Sequence, residues 1–179
     1  MEHLDRTSVN RVALVLHSLA GVLASELARR LGQRLETTIF VSAVVPDSEK
    51  RFVDAVGFPA NLILPALFKF NREGLMPSES MLRREYCQDL SPSDASMLIE
   101  RYVAEWPGLY LNRVQGARRV PRPFYIKLLE DRSVPPKLQD RMIRNIGGVQ
   151  VVAVQSGHMV MLSKPDELAR AVMEAVQST

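Results

Sequence analysis

Five consecutive apolar residues, Val12-Ala13-Leu14-Val15-Leu16, run almost directly into a second apolar pattern at Leu19, Val22, Leu23, Leu27 and Leu31. No other stretch limits the possible folds as tightly. An unbroken apolar run suits a strand buried on both faces, whereas the second spacing is helical. The change of period leaves no room for a loop, so strand and helix meet at a corner. Strands of that kind belong to parallel sheets covered by helices, and the fold expected is therefore α/β. Ser18 sits at the corner, at the C-terminal end of the strand and beside the first free N–H groups of the helix.

The rest of the chain extends this scheme. Residues 1 to 10 read as the tail of a helix plus a turn. The first helix should stop near Gly32, behind Arg29 and Arg30, whose charges suit a helix C-terminus. Thr37-Thr38-Ile39-Phe40-Val41-Ser42-Ala43-Val44-Val45 is a second β-branched run, closed by Pro46-Asp47, and completes a right-handed βαβ unit. Between Ser48 and Val120 the prolines at 59, 65, 77, 92 and 107 break the chain into short amphipathic pieces. The clearest piece begins at Ser91-Pro92-Ser93-Asp94, a capping box with Pro at N1, and continues with Met97, Leu98, Tyr102 and Val103. This reads as a helical insertion lying as a lid over the C-terminal edge of the sheet, where open α/β sheets bind ligands. The sheet resumes with Pro123 to Leu129 and ends with Val149 to Val154. Between them Pro135-Pro136 open a helix with Leu138, Met142, Ile143 and Ile146 on one face. Ser163-Lys164-Pro165-Asp166 reads as the capping box of a final helix bearing Leu168, Val172 and Val176. The expected organisation is a first βαβ unit over 1–47, a lid over 48–120 and the remaining core over 121–179, with four parallel strands and helices on both faces.

Composition narrows the function classes. A formal charge of +3 arises from 23 basic and 20 acidic residues, and the arginines occur only in scattered pairs such as Arg29-Arg30, Arg83-Arg84 and Arg118-Arg119. That is no nucleic-acid stripe. Cys87 is the single cysteine, so neither an internal disulfide nor a cysteine metal cluster is expected. No apolar run approaches a membrane span, and Met1-Glu2-His3-Leu4-Asp5 lacks the features of a signal peptide. A cytoplasmic location without nucleic-acid or membrane partners is the expectation.

Three polar residues, Ser18, Asp131 and His158, fall just past the C-terminal ends of predicted strands. A nucleophilic hydroxyl needs an imidazole within reach and a carboxylate to orient that imidazole. The serine corner matches the elbow pattern G-x-S-x-G only in part: Leu16 and Ala20 occupy the two glycine sites, and Gly21 follows one residue later. Leu16 is bulky where strand and helix backbones normally approach closely. His17 reads as a packed supporting group. Glu130 and Asp140 compete with Asp131, but Glu130 should point the other way and Asp140 lies within a helix. Cys87 and His3 read as structural or surface residues.

The order Ser, Asp, His is that of the α/β-hydrolases. Val15-Leu16-His17-Ser18-Leu19-Ala20-Gly21, Ser42-Ala43-Val44-Val45-Pro46, Leu129-Glu130-Asp131-Arg132-Ser133-Val134-Pro135 with Gln139, and Gly157-His158-Met159-Val160-Met161-Leu162 with Pro165 resemble their methylesterase and hydroxynitrile-lyase branch over nearly the whole chain. The resemblance implies a serine-type carboxylesterase acting on a small apolar ester. Ser18 would be the nucleophile, His158 the base and Asp131 its orienting group, with the Leu19 N–H meeting the oxyanion. No metal or organic cofactor is implied. Leu62, Leu64, Phe68, Phe70 and Trp106 are candidate lid residues for the substrate wall.

Relatives of this branch also carry strands before the elbow and a loop, usually beginning His-Gly, that supplies half of the oxyanion hole. These are not found in the present sequence. Loss of one oxyanion donor costs about 10²- to 10³-fold in rate, so a catalytically impaired or non-catalytic protein is the alternative. A lyase is a second alternative, weakened because Met159 stands where such relatives carry Lys after the histidine. Without upstream strands, Val12 to Leu16 would form an open edge with no lysine, proline or bulge to protect it. Self-association through that edge, binding of a complementary partner, or poor solubility is expected.

Overall fold

The computed structural model describes Leu4, Arg6 and residues 9–178. The expectation for residues 1 to 10 and the reading of His3 lie largely outside them. Four strands, β1 (Val12–His17), β2 (Leu35–Val41), β3 (Pro123–Leu128) and β4 (Gln150–Val154), form one parallel sheet in the order β1-β2-β3-β4. Between them run α1 (Ala24–Leu31), five short helices after β2, and α7 (Pro136–Ile146). The five are α2 (Phe52–Val56), α3 (Ala60–Phe70), α4 (Glu79–Tyr86), α5 (Pro92–Arg101) and α6 (Pro107–Leu111). The chain closes with α8 (Val160–Ser163) and α9 (Pro165–Gln177).

Alternation along the strands divides the core into two layers. Leu16, Phe40 and Tyr125 point to one side, where they meet Ala24 of α1 and Met142 and Ile146 of α7. Ile39, Val41, Phe124, Ile126 and Leu128 point to the other, against Ala171 and Ala175 of α9. The Tyr125 hydroxyl, buried in the first layer, donates to the Ala43 carbonyl at 3.0 Å, so its polar end carries no desolvation penalty. Burying each such large side chain stabilises the fold by about 1.5–3 kcal/mol.

Several elements differ from the sequence reading. The strand over residues 37–45 ends at Val41, because Ser42 turns into the left-handed region at φ 39°. Ala43, Val44 and Val45 are buried nonetheless, as a coil packed in the first layer. The helix after Ser18 begins as a 3₁₀ turn, Ser18–Leu23, before becoming α1, which ends at Gly32 with φ 56°. Ser91 caps α5 as expected, accepting from the Asp94 N–H at 3.2 Å. Ser163 does not cap α9; it belongs to α8, and Lys164 holds the cap position without a side-chain bond. β1 is an edge strand among the described residues, and a bulge falls at Val12/Ala13. Its second face is uncovered there: Val15 is 46% exposed, so its apolar run does not lie buried on both faces. Among the described residues no helix is long and apolar enough to cross a membrane.

Candidate active site

The strand ends converge on the site. Ser18 follows β1 with φ 54°, a left-handed conformation that costs a serine about 1–3 kcal/mol. Neighbouring packing holds it there: the Val44 N–H donates to the Ser18 carbonyl at 2.9 Å. A Cβ on Gly21 would lie 2.5 Å from the Val44 carbonyl oxygen, so the close approach at this corner falls on Gly21. Leu16 is buried in the core with Phe40 and Ala24 of α1.

Asp131 follows β3 and is buried. Its Oδ2 accepts from His158 Nδ1 at 2.7 Å and from Ser42 Oγ at 2.6 Å, and its Oδ1 accepts from the Val134 N–H at 2.8 Å. Three donors on two oxygens suit the ionised carboxylate. Gln139, fully buried on α7, clips the loop from below. Its amide donates to the Leu128 and Val134 carbonyls, and its carbonyl accepts from the Leu128 N–H. Glu130 is exposed and accepts from Gln155, while Asp140 pairs with Lys127, so neither competes for His158.

The His158 ring lies between His17, with centroids 4.6 Å apart, and the edge of Tyr86, at 4.9 Å. His17 Nε2 donates to the His158 carbonyl at 2.9 Å. Burial, followed by the positive field of His158, lowers the His17 pKa to about 4, so this ring is neutral near pH 7 and acts as a strut. Asp89, which precedes α5, fastens the same loop: its Oδ2 accepts from the Gly157 N–H at 2.7 Å and the Ser156 hydroxyl at 3.2 Å. A side chain at Gly157 would strike that carboxylate, with only 2.4 Å to Oδ1.

Ser18, Leu19, His158 and Met159 line one cavity of about 410 Å³, together with His17, Leu23 and Val44 from the core. The insertion contributes Phe52, Tyr86, Leu98, Tyr102, Glu105 and Tyr110. None of the five predicted wall residues lines it. Phe70 is 87% exposed, Leu62 and Trp106 are each 64% exposed, and Leu64 is half-buried elsewhere. Phe68 is buried but stands behind Tyr110, ring to ring at 5.0 Å. Apolar character alone could not tell which face of each short helix turns inward. Ser42, Gln139, Asp89, Tyr86 and Glu105 were not singled out as site residues. Ser42 and Gln139 stand in recognisable motifs, whereas nothing around Asp89 or Glu105 marks them in the sequence.

A sheet with its three polar residues at strand ends beneath a helical insertion defines the class. A model of the Alpha/beta hydrolase family matches residues 2–171, and the chain belongs to that family. Among individual proteins it is similar to putative methylesterase 14, chloroplastic, of Arabidopsis thaliana, 25% identical over an alignment of 186 positions that covers 93% of this chain and 52% of that protein. It is also similar to methylesterase 10 of the same plant, 28% identical over 92% of this chain and 66% of that protein. The chain thus spans between about half and two thirds of these relatives. An extracellular α/β-hydrolase from a Paenibacillus species superposes with a TM-score of 0.78 at 16% identity, covering 97% of this chain and 75% of that one. The likeness is one of fold.

Proposed function

We propose that the protein hydrolyses a small carboxylic ester by serine chemistry, in the manner its methylesterase relatives are named for. The observation that carries this reading is Ser18, held at a strained corner in the same cavity as an imidazole whose Nδ1 is bonded to a buried carboxylate. With Nδ1 committed to Asp131, Nε2 is the nitrogen left for proton transfer. His158 would take the Ser18 proton as Oγ attacks the acyl carbon, and would return it to the departing alkoxide. Asp131 would hold the tautomer and stabilise the imidazolium. Water would then attack the acyl carbon as His158 takes its proton, and His158 would return that proton to the departing Ser18 Oγ as the acid is released. The N–H of Leu19, next to the serine, would face the oxyanion.

Met159 lines the cavity in the position after the histidine, where a lyase would need a cation for cyanide, and this favours the esterase reading. The test is hydrolysis of p-nitrophenyl acetate and of a panel of methyl esters by the full 179-residue chain. Turnover that disappears in Ser18→Ala, with an unchanged circular-dichroism spectrum, is the expected result. Equal turnover in that variant would remove Ser18 from the mechanism, and no turnover in the parent would leave the non-catalytic alternative standing.

A further inference from the structure

The cavity contains a carboxyl group that ester hydrolysis does not use. Glu105 lies between α5 and α6, with its backbone fixed by paired hydrogen bonds to Leu75 at 3.3 and 3.4 Å. Its side chain accepts from the Tyr110 hydroxyl and from Tyr102. Phe52 meets the Tyr110 ring edge-on at 4.9 Å, and Tyr86 meets Tyr102 at 6.1 Å. The carboxyl group thus shares one cavity with four aromatic side chains, Phe52, Tyr86, Tyr102 and Tyr110.

Burial raises the Glu105 pKa; the Tyr102 hydrogen bond and the field of His158 oppose the rise without cancelling it. None of these influences is a Lys or Arg. A half-buried carboxylate that accepts from phenols and has no Lys or Arg acting on it has given up hydration without gaining a full counter-charge. Aromatic faces around a fixed negative charge are the surroundings that attract an alkylammonium group, through the ring quadrupoles together with the carboxylate.

We infer that Glu105, with Tyr86, Tyr102, Tyr110 and Phe52, forms a subsite for an alkylammonium group, so that the preferred ester carries a cationic amine in its acyl or alcohol part. This rests on the ester-hydrolase reading for its substrate, but not for its ligand chemistry. A purely apolar preference, as expected from the sequence, would leave the carboxylate without a purpose and would charge it a desolvation penalty on every binding event.

The experiment compares acetylcholine with its neutral isostere 3,3-dimethylbutyl acetate, and pairs this with calorimetric titration of choline. The unaltered chain should show a kcat/KM for the cationic ester about tenfold or more above that for the neutral one, and Glu105→Gln should lower that ratio about tenfold. A ratio near one in the unaltered chain, or a ratio that Glu105→Gln leaves unchanged, would overturn the inference even if both esters are hydrolysed. Should neither ester turn over, the esterase reading fails and choline binding alone decides the subsite. Saturable binding of choline, but not of 3,3-dimethylbutanol, supports it, and absence of binding overturns it. The choline and dimethylbutanol titrations need no variant, so the outcome does not depend on Glu105→Gln folding.

Discussion

The cavity has two sides built on different principles. The side formed by the strand ends is fixed by backbone: Ser18 is held at φ 54°, Gly21 admits no side chain, and Asp131 has three donors. The side formed by the insertion consists of short helices of 5 to 11 residues, and it contributes half-buried rings and phenols, with Asp89 and Glu105 as its hydrogen-bonded carboxylates. Changes to the first side should alter how fast bonds are made and broken. Changes to the second should alter which molecules stay long enough to react.

The largest expected effects fall on the strand-end side. Ser18→Ala and His158→Ala should each lower kcat by about 10⁶-fold, and Asp131→Asn by about 10⁴-fold, with KM nearly unchanged. Burst and steady-state kinetics on a chromogenic ester measure both quantities. A rise in KM with kcat intact would erase the distinction between the two sides.

His17 supplies a pH test of the same side. Its folded pKa of about 4 lies below the ordinary 6.5, so folding favours the neutral ring. The stability this contributes is complete above pH 6.5 and is lost progressively as the pH falls toward 4, amounting to about 3 kcal/mol across that window. Urea midpoints at pH 7.5, 5.5 and 4 should follow this fall, and His17→Gln should flatten it. An unchanged slope in the variant would assign the effect to other groups.

Ser42→Ala removes a hydroxyl donor from a buried carboxylate and should reduce kcat about tenfold, a cost typical of a hydrogen bond to a charged group. Ser42→Thr should restore part of the rate. On the insertion side the effects are smaller and differently placed: Leu98→Ala should raise KM for an apolar ester by about tenfold or less while kcat holds. A matching drop in kcat would mean that the lid also positions the reacting groups.

How much of this was legible beforehand follows the same division. That Ser18, Asp131 and His158 stand just past strand ends could be read from strand periodicity and turn signals, whereas choosing Asp131 over Glu130 and Asp140 and joining the three in one site leaned on the resemblance to α/β-hydrolases. The α/β sheet itself was evident from Val12–Leu16 and Phe124–Leu128. Even there, the expected β2 starts two residues late and runs four residues too far, since nothing in Ser42-Ala43-Val44-Val45 announces a left-handed serine inside an apolar run. The insertion resisted such reading altogether. Its helices are too short for a stable period, and their inward faces are chosen by tertiary contacts, so the apolar pattern points to Phe70 and Trp106 as walls, whereas the cavity is lined by Tyr86 and Glu105.

The uncovered face of β1 has a thermodynamic consequence. A folded state that pairs with another copy, while the unfolded chain does not, is stabilised by mass action, so its melting temperature depends on how much protein is present. The bulge at Val12/Ala13 and the Arg11–Glu36 pair guard only the start of the edge, leaving Ala13 and Val15 open among the described residues. If copies associate along β1, the melting temperature should climb with each tenfold increase in concentration, and sedimentation over the same range should show the matching growth in mass. Val15→Lys would then make both curves flat, turning a property of the solution back into a property of the single chain.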